Sequence, residues 1–207
     1  GHACFEIRGE DTTVVFDPHD GKSIGIKPPS CSADTVLVTH THSAHSAVKV
    51  VRGTHKDVVA QLGEVDVPGA KVIGYPSFHD ECGGAEFGTN VIYKLVMNGI
   101  TFVHCGDLGD MPSDEVVEAL KDVDILFVPV GAVHTIKLRK LMDFISAVEP
   151  KIIVPMTYRV GGLTLPIGTL DDFLYYIAED SRIYVGSDVE LTSEDVEEYM
   201  GCWIFDR

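Results

Sequence analysis

Basic residues are scarce in this sequence: 16 Lys and Arg stand against 32 Asp and Glu in 207 residues, a formal charge of −16. So acidic a surface repels phosphate backbones and anionic headgroups, which excludes nucleic acid and membrane surfaces as expected partners. Long apolar runs are missing too, and no stretch approaches the roughly 18 residues that span a bilayer. The five cysteines (Cys4, Cys31, Cys82, Cys105 and Cys202) are odd in number and include no Cys-x-x-Cys pair. That argues against a disulfide frame and a cysteine metal site, and predicts a reducing, cytoplasmic setting. No GxxxxGK[ST] or GxGxxG loop is present to cradle a phosphate. Low-complexity tracts and repeats of fixed period are also absent. With 45% hydrophobic and 23% charged residues, the chain over 1–207 reads as a single globular domain.

What is present is a strand-rich first half and a second half in which helices and strands alternate. Segments 4–7 and 13–16 read as strands around a Gly-Glu-Asp turn. The run TVLVT at 35–39 reads as a strand buried on both faces. A helix is expected at 44–51, and further strands at 58–62 and 71–75. Asn98-Gly99 between apolar runs at 91–97 and 100–104 is a strong hairpin signal. Helices are expected from Ser113 to about Lys121, over 136–148 until Pro150, over 170–178 with Thr169 and Asp172 at capping-box spacing, and over 193–200. Strands are expected at 124–128, 151–154 and 182–185. These periods fit two sheets between helices, and equally any mixed α/β fold.

Histidine carries most of the chemical information. Three of the nine fall within six residues, at His40, His42 and His45, directly after the buried-looking strand. Strand ends of this kind are where α/β sheets place their sites. His40 and His42 are two apart, so they face the same side and can share a metal, with His45 approaching from the next element. The competing reading is three loop histidines. Asp107, in Gly106-Asp107-Leu108-Gly109, is a second candidate ligand, set against an ordinary Gly-Asp turn. His79 and Asp80 end another strand before a glycine-rich loop. Asp17 ends the strand at 14–17 and can hydrogen-bond a ligand imidazole from behind.

Taken in order, His-x-His-x-x-His, Phe-His-Asp, Gly-Asp-Leu-Gly and a late Pro-Met-x-Tyr resemble the metallo-β-lactamase superfamily. The nearest branch is that of ascorbate-6-phosphate lactonase and the small prokaryotic metal-dependent hydrolases. The likeness begins at Gly1-His2-Ala3-Cys4-Phe5 and covers most of the chain. It implies an αββα sandwich with the metal site at one edge, and a first strand that starts a few residues earlier in the family. It also implies roles: His40, His42 and His79 for the first metal, Asp107 as a bridging carboxylate, and His45 for the second metal. In the family a metal-bound hydroxide attacks an ester, lactone, amide or phosphoester.

Two positions depart from the family pattern. Its His-x-His-x-Asp-His has Ala44 in place of Asp, and its Pro-Met-His-Tyr has Thr157 in place of His. Both belong to the second site, which retains His45 and Asp107, too few for tight zinc binding. The expectation is therefore one metal, zinc first, with manganese or iron compatible with the same donors. The expected activity is hydrolysis of a small molecule, with His45 or Asp80 as general base. The alternative is a non-catalytic descendant that binds a small molecule or a partner. Oligomeric state is not legible in the sequence.

Overall fold

A computed structural model describes residues 2–206. Strands β1 (Phe5–Arg8), β2 (Thr13–Phe16), β3 (Thr35–Val38) and β4 (Lys56–Val59) form a four-stranded sheet in that order. Eight further strands form the larger sheet: β5 (Gly63–Val67), β6 (Ala70–Phe78), β7 (Thr89–Met97), β8 (Ile100–His104), β9 (Ile125–Pro129), β10 (Ile152–Met156), β11 (Arg182–Val185) and β12 (Gly201–Phe205). Its order is β11-β12-β10-β9-β8-β7-β6-β5. The β5 to β8 half is an antiparallel meander turned by Asn98-Gly99, and β8 to β12 pair in parallel.

The two sheets face each other across a shared core. Phe16 of β2 stacks on His104 of β8 with ring centroids 4.8 Å apart, and Phe5 of β1 meets Phe127 of β9 at 4.5 Å. Leu37 and Val58 join Leu95 and Val103 in the same buried cluster. Burying each side chain of this size contributes roughly 1.5–3 kcal/mol. β3 is buried on both faces as its composition predicts: Val36 and Val38 enter a separate cluster with Cys4, Cys31 and Val51.

Helices are few and short: α1 (Asp114–Ala119), α2 (Leu138–Val148), α3 (Leu170–Leu174) and α4 (Ser193–Glu198). α2 buries Leu141, Phe144, Ile145 and Val148, the stripe its period predicts. Thr169 and Asp172 form the expected capping box, and Thr192 with Asp195 forms a second. The helix expected at 44–51 is instead a loop with a 3-10 turn at Val48–Val50. Ser46 Oγ bonds back to the carbonyls of His42 and Thr41, at 3.0 and 3.3 Å, and three β-branched valines follow; both disfavour a helix. The strand expected at 58–62 runs two to three residues earlier, because Ala60 adopts φ 48 and ends it. β5 and β12 were not expected. In β5 the alternating acids read as loop, and β12 is a short apolar segment behind Gly201.

This topology brings five strand ends to one edge. β2 and β3 are parallel, and so are β8, β9 and β10. β6 runs with β8 because each is antiparallel to β7. The Val91 N–H donates to Thr39 O at 3.0 Å and ties the start of β7 to the end of β3. The residues after β2, β3, β6, β8 and β10 therefore converge.

Candidate metal centre

Each converging strand delivers a side chain. β3 leads into His40, His42 and His45, β6 into His79, β8 into Asp107, β2 into Asp17 and β10 into Thr157. One nitrogen each from His40, His42 and His79 lie within 4.8 Å of one another. Asp107 Oδ2 lies 3.0 Å from His45 Nε2, 3.2 Å from His79 Nε2 and 3.8 Å from His40 Nε2. His40, His45, His79 and Asp107 are buried, whereas His42 is exposed and forms the open side. Two glycines make the approach possible. A Cβ on Gly109 would lie 2.1 Å from Asp80 N, and one on Gly106 would lie 2.3 Å from Asn90 Oδ1.

A supporting layer orients these groups. Asp17 Oδ2 accepts from His45 Nδ1 at 2.9 Å and from Thr39 Oγ1 at 2.7 Å, while Oδ1 accepts from Thr39 N at 2.8 Å. Thr39 Oγ1 also contacts His40 Nδ1 at 3.0 Å, which turns His40 Nε2 toward the cluster. Asn90 Oδ1 accepts from Asp107 N at 3.1 Å, and Asn90 Nδ2 donates to Ser77 Oγ and Cys105 O, each at 2.8 Å.

The charges follow from burial and pairing. Burial pushes His40 down to about 3, with the charge of His45 adding to the effect. His42 is also lowered, chiefly by burial. Burial pushes His45 down, but the charge and hydrogen bond of Asp107, together with Asp17, outweigh it and raise it to about 10. Burial pushes Asp107 and Asp17 up, but His45 above all holds both carboxyls below their usual range. In the metal-free chain, then, an imidazolium sits between two buried carboxylates.

The donor set fits a metal ion. His40 Nε2 is buried with no hydrogen-bond partner although it points at the other donors. Ligands about 2.0–2.1 Å from a tetrahedral zinc lie about 3.3 Å apart, and the Asp107 contacts at 3.0, 3.2 and 3.8 Å bracket that spacing.

Residues 1–157 match the beta-lactamase superfamily domain. The chain belongs to that superfamily. A UPF0173 metal-dependent hydrolase of Thermoplasma acidophilum is 28% identical over 186 residues, spanning 79% of this chain and 83% of the relative. A second, from Thermococcus onnurineus, is 26% identical over 77% of this chain and 82% of its own length. A Thermotoga maritima crystal structure, described as a candidate Zn-dependent hydrolase of the metallo-β-lactamase superfamily, superposes with TM-score 0.80. It is 31% identical and covers 99% of this chain and 95% of that one. A Parabacteroides distasonis structure at 21% identity and TM-score 0.65 shares the fold. The metallo-β-lactamase fold read from the motifs is therefore the fold of this chain.

The two residues expected from the sequence as general bases, Asp80 and His45, are both engaged in other hydrogen bonds. Asp80 turns into its own loop: Oδ1 accepts from the N–H groups of Cys82 and Gly84, and Oδ2 from those of Glu86 and Phe87, at 2.8–2.9 Å. The hydrogen bond from the Phe87 N–H, above all, pulls its carboxyl down to about 2 against a smaller opposing effect of burial, and in this structure the Asp80 carboxylate organises its own loop. His45 has a carboxylate on each nitrogen, which leaves neither free to take a proton from water.

Sequence reasoning also missed several groups. Asn90, Thr39 and the buried His2 belong to the neighbourhood of the site; His2 lies 5.0 Å from His45 by ring centroids. Only the proximity of His2 to the first family motif hinted at this. Residues 21–25 have the Gly-x-Ser-x-Gly spacing of a nucleophile elbow, but they form a 3-10 turn. Ser23 Oγ there donates to Asp20 at 2.6 Å, so the strand-turn-helix that an elbow needs is not there.

Proposed function

We propose that this chain is a metal-dependent hydrolase of small esters, lactones or phosphoesters. Its primary metal is held by His40, His42, His79 and Asp107. Zinc suits this imidazole-rich set best, and manganese or iron accept the same donors. The observation that carries the reading is the buried, unpartnered Nε2 of His40 aimed into a ring of further donors. The names carried by the relatives from Thermoplasma and Thermococcus, and the Thermotoga structure, support it. A cation bound there supplies a Lewis acid for a carbonyl or phosphoryl oxygen and activates water.

The chain's own residues do the rest. His40 and His79 fix the buried side of the site, and His42 leaves the solvent side open to a substrate. Thr39 and Asp17 hold the imidazoles of His40 and His45 in one orientation, so little reorganisation precedes reaction. Phe87 packs 5.6 Å from His79 and 5.2 Å from His134 by ring centroids, an apolar wall for an acyl or sugar body. The acidic surface favours small molecules over nucleic acids, and five free cysteines agree with a cytoplasmic setting. No described helix is long and apolar enough to cross a membrane.

The test compares zinc-reconstituted protein with chelator-stripped protein and with His40→Ala on aryl ester, lactone and phosphodiester substrates. Turnover that depends on metal and on His40 is expected; turnover that survives stripping sinks the reading. Ala44 and Thr157 favour a second reading, a non-catalytic member that retains the metal. Full metal occupancy with no turnover on any substrate class would select it.

A further inference from the structure

Two of the five thiols meet away from the metal centre. Cys4, just before β1, and Cys31, at the entry to β3, lie together in the smaller buried cluster with Val15, Val36, Val38 and Val51. The Cys4 S–H donates to the Cys31 sulfur. The flanking chain holds them there. Glu6 Oε2 of β1 accepts from Ser32 N at 3.4 Å, next to Cys31. Cys31 O accepts from Arg52 N at 3.0 Å and from Arg52 Nε at 3.5 Å, which sets the guanidinium beside this cysteine. Thiols close enough to share a hydrogen bond need only a small approach of their sulfurs to become a disulfide.

The other three cysteines have no such setting. Cys82 is exposed. Burial pushes the Cys105 thiol up, and pushes that of Cys202 up to about 12 against the pull of Arg182, so both stay protonated and unreactive. Cys31 is displaced the other way. The hydrogen bond from Cys4 holds its thiol below the usual range, with Arg52 adding to the effect while burial and Glu6 oppose it. The same hydrogen bond raises Cys4, and burial adds to it. One sulfur is thus the readier thiolate, and the other keeps its proton beside it, as in an oxidation-sensitive thiol and its resolving partner. Ser30 and Ser32, which flank Cys31, are both exposed, so a small oxidant has a short way in.

We infer that Cys4 and Cys31 form an oxidation site, independent of the metal centre, that closes to a disulfide on reaction with hydrogen peroxide. The Cys31 thiolate attacks one peroxide oxygen, the O–O bond breaks, and the departing hydroxide takes up the proton that Cys31 had released. The Cys4 sulfur then attacks the sulfenic sulfur of Cys31. The S–S bond forms, the S–O bond breaks, and the oxygen leaves as water with the Cys4 proton. The thiol pair loses two electrons, and the peroxide they reduce becomes two waters. A dithiol reductant reopens the bond and is itself oxidised to its disulfide. Phe5 pairs with Phe16, so the bond would tie the chain end opposite Asp17 to the entry of β3.

Peptide mass spectrometry tests this on the folded full chain carrying Cys82→Ser, which removes the exposed thiol. The chain is treated with hydrogen peroxide and denatured, and its remaining thiols are alkylated. Alkylation of two cysteines instead of four is expected, with a Cys4–Cys31 crosslinked peptide that dithiothreitol abolishes. With Cys4→Ser added, the reaction should stop at a sulfenic acid on Cys31, trapped by dimedone. With Cys31→Ser added, Cys4 should stay unmodified. The same peroxide treatment in urea is the unfolded reference, where the crosslink should form more slowly. Four cysteines still alkylated, Cys31 oxidised without the crosslink, a crosslink to Cys105 or Cys202, or one that forms equally fast in urea overturns the inference.

Discussion

Asp17→Asn changes one oxygen to an amide nitrogen in a side chain with no solvent exposure. The carboxylate accepts from Thr39 N, Thr39 Oγ1 and His45 Nδ1, so an amide must point an N–H2 at a donor and loses its charge opposite His45. Removing one partner of a buried ion pair costs roughly 3–5 kcal/mol. At about 2–4 °C per kcal/mol for a chain of this length, the metal-free melting temperature should fall by roughly 6–20 °C. The assay is thermal unfolding by circular dichroism at pH 7 on chelator-stripped protein. A fall of less than about 2 °C would refute the charged triad of Asp17, His45 and Asp107.

The same triad sets a pH signature. His45 is raised from 6.5 to about 10, so its contribution is complete below pH 6.5 and is lost as pH rises through 10. A shift of that size corresponds to roughly 4–5 kcal/mol. Asp17 and Asp107 are lowered, so their contributions are present above 3.8 and are lost as pH falls below it. Metal-free protein should therefore weaken steadily from pH 7 to 10, and Asp17→Asn should flatten that decline.

Two further predictions concern the loops that frame the site. Gly109→Ala places a Cβ against Asp80 N and the His79 carbonyl carbon, at 2.1 and 2.2 Å, and should cost about 2–3 kcal/mol with weakened metal retention. An unchanged melting temperature would contradict that packing. Asp80→Asn removes the charge that holds four N–H groups, so amide hydrogen exchange across 82–87 should accelerate while β6 stays protected. Unchanged exchange in that loop would show that the carboxylate does not organise it.

Much of the frame was legible because it is written in local periods. The apolar, β-branched runs at 13–16 and 91–104, the Asn98-Gly99 turn and the α2 stripe depend on residues within four of one another, and each forms as read. The helix expected at 44–51 failed because side-chain-to-backbone bonds from Ser46 compete with helical ones. β5 escaped because its exposed acids hide a strand that only pairing with β6 stabilises.

The site divides along the same line. The sequence by itself placed His40, His42, His79 and Asp107 at strand ends, since motif and strand period are properties of neighbours along the chain. Tertiary structure alone decided that Asp80 faces its own loop, that Asp17 and Asp107 grip His45 from both sides, and that His2 arrives beside them. Those relations join both ends of the chain and both sheets, and their distances come from how the sheets close, which no spacing along the sequence encodes.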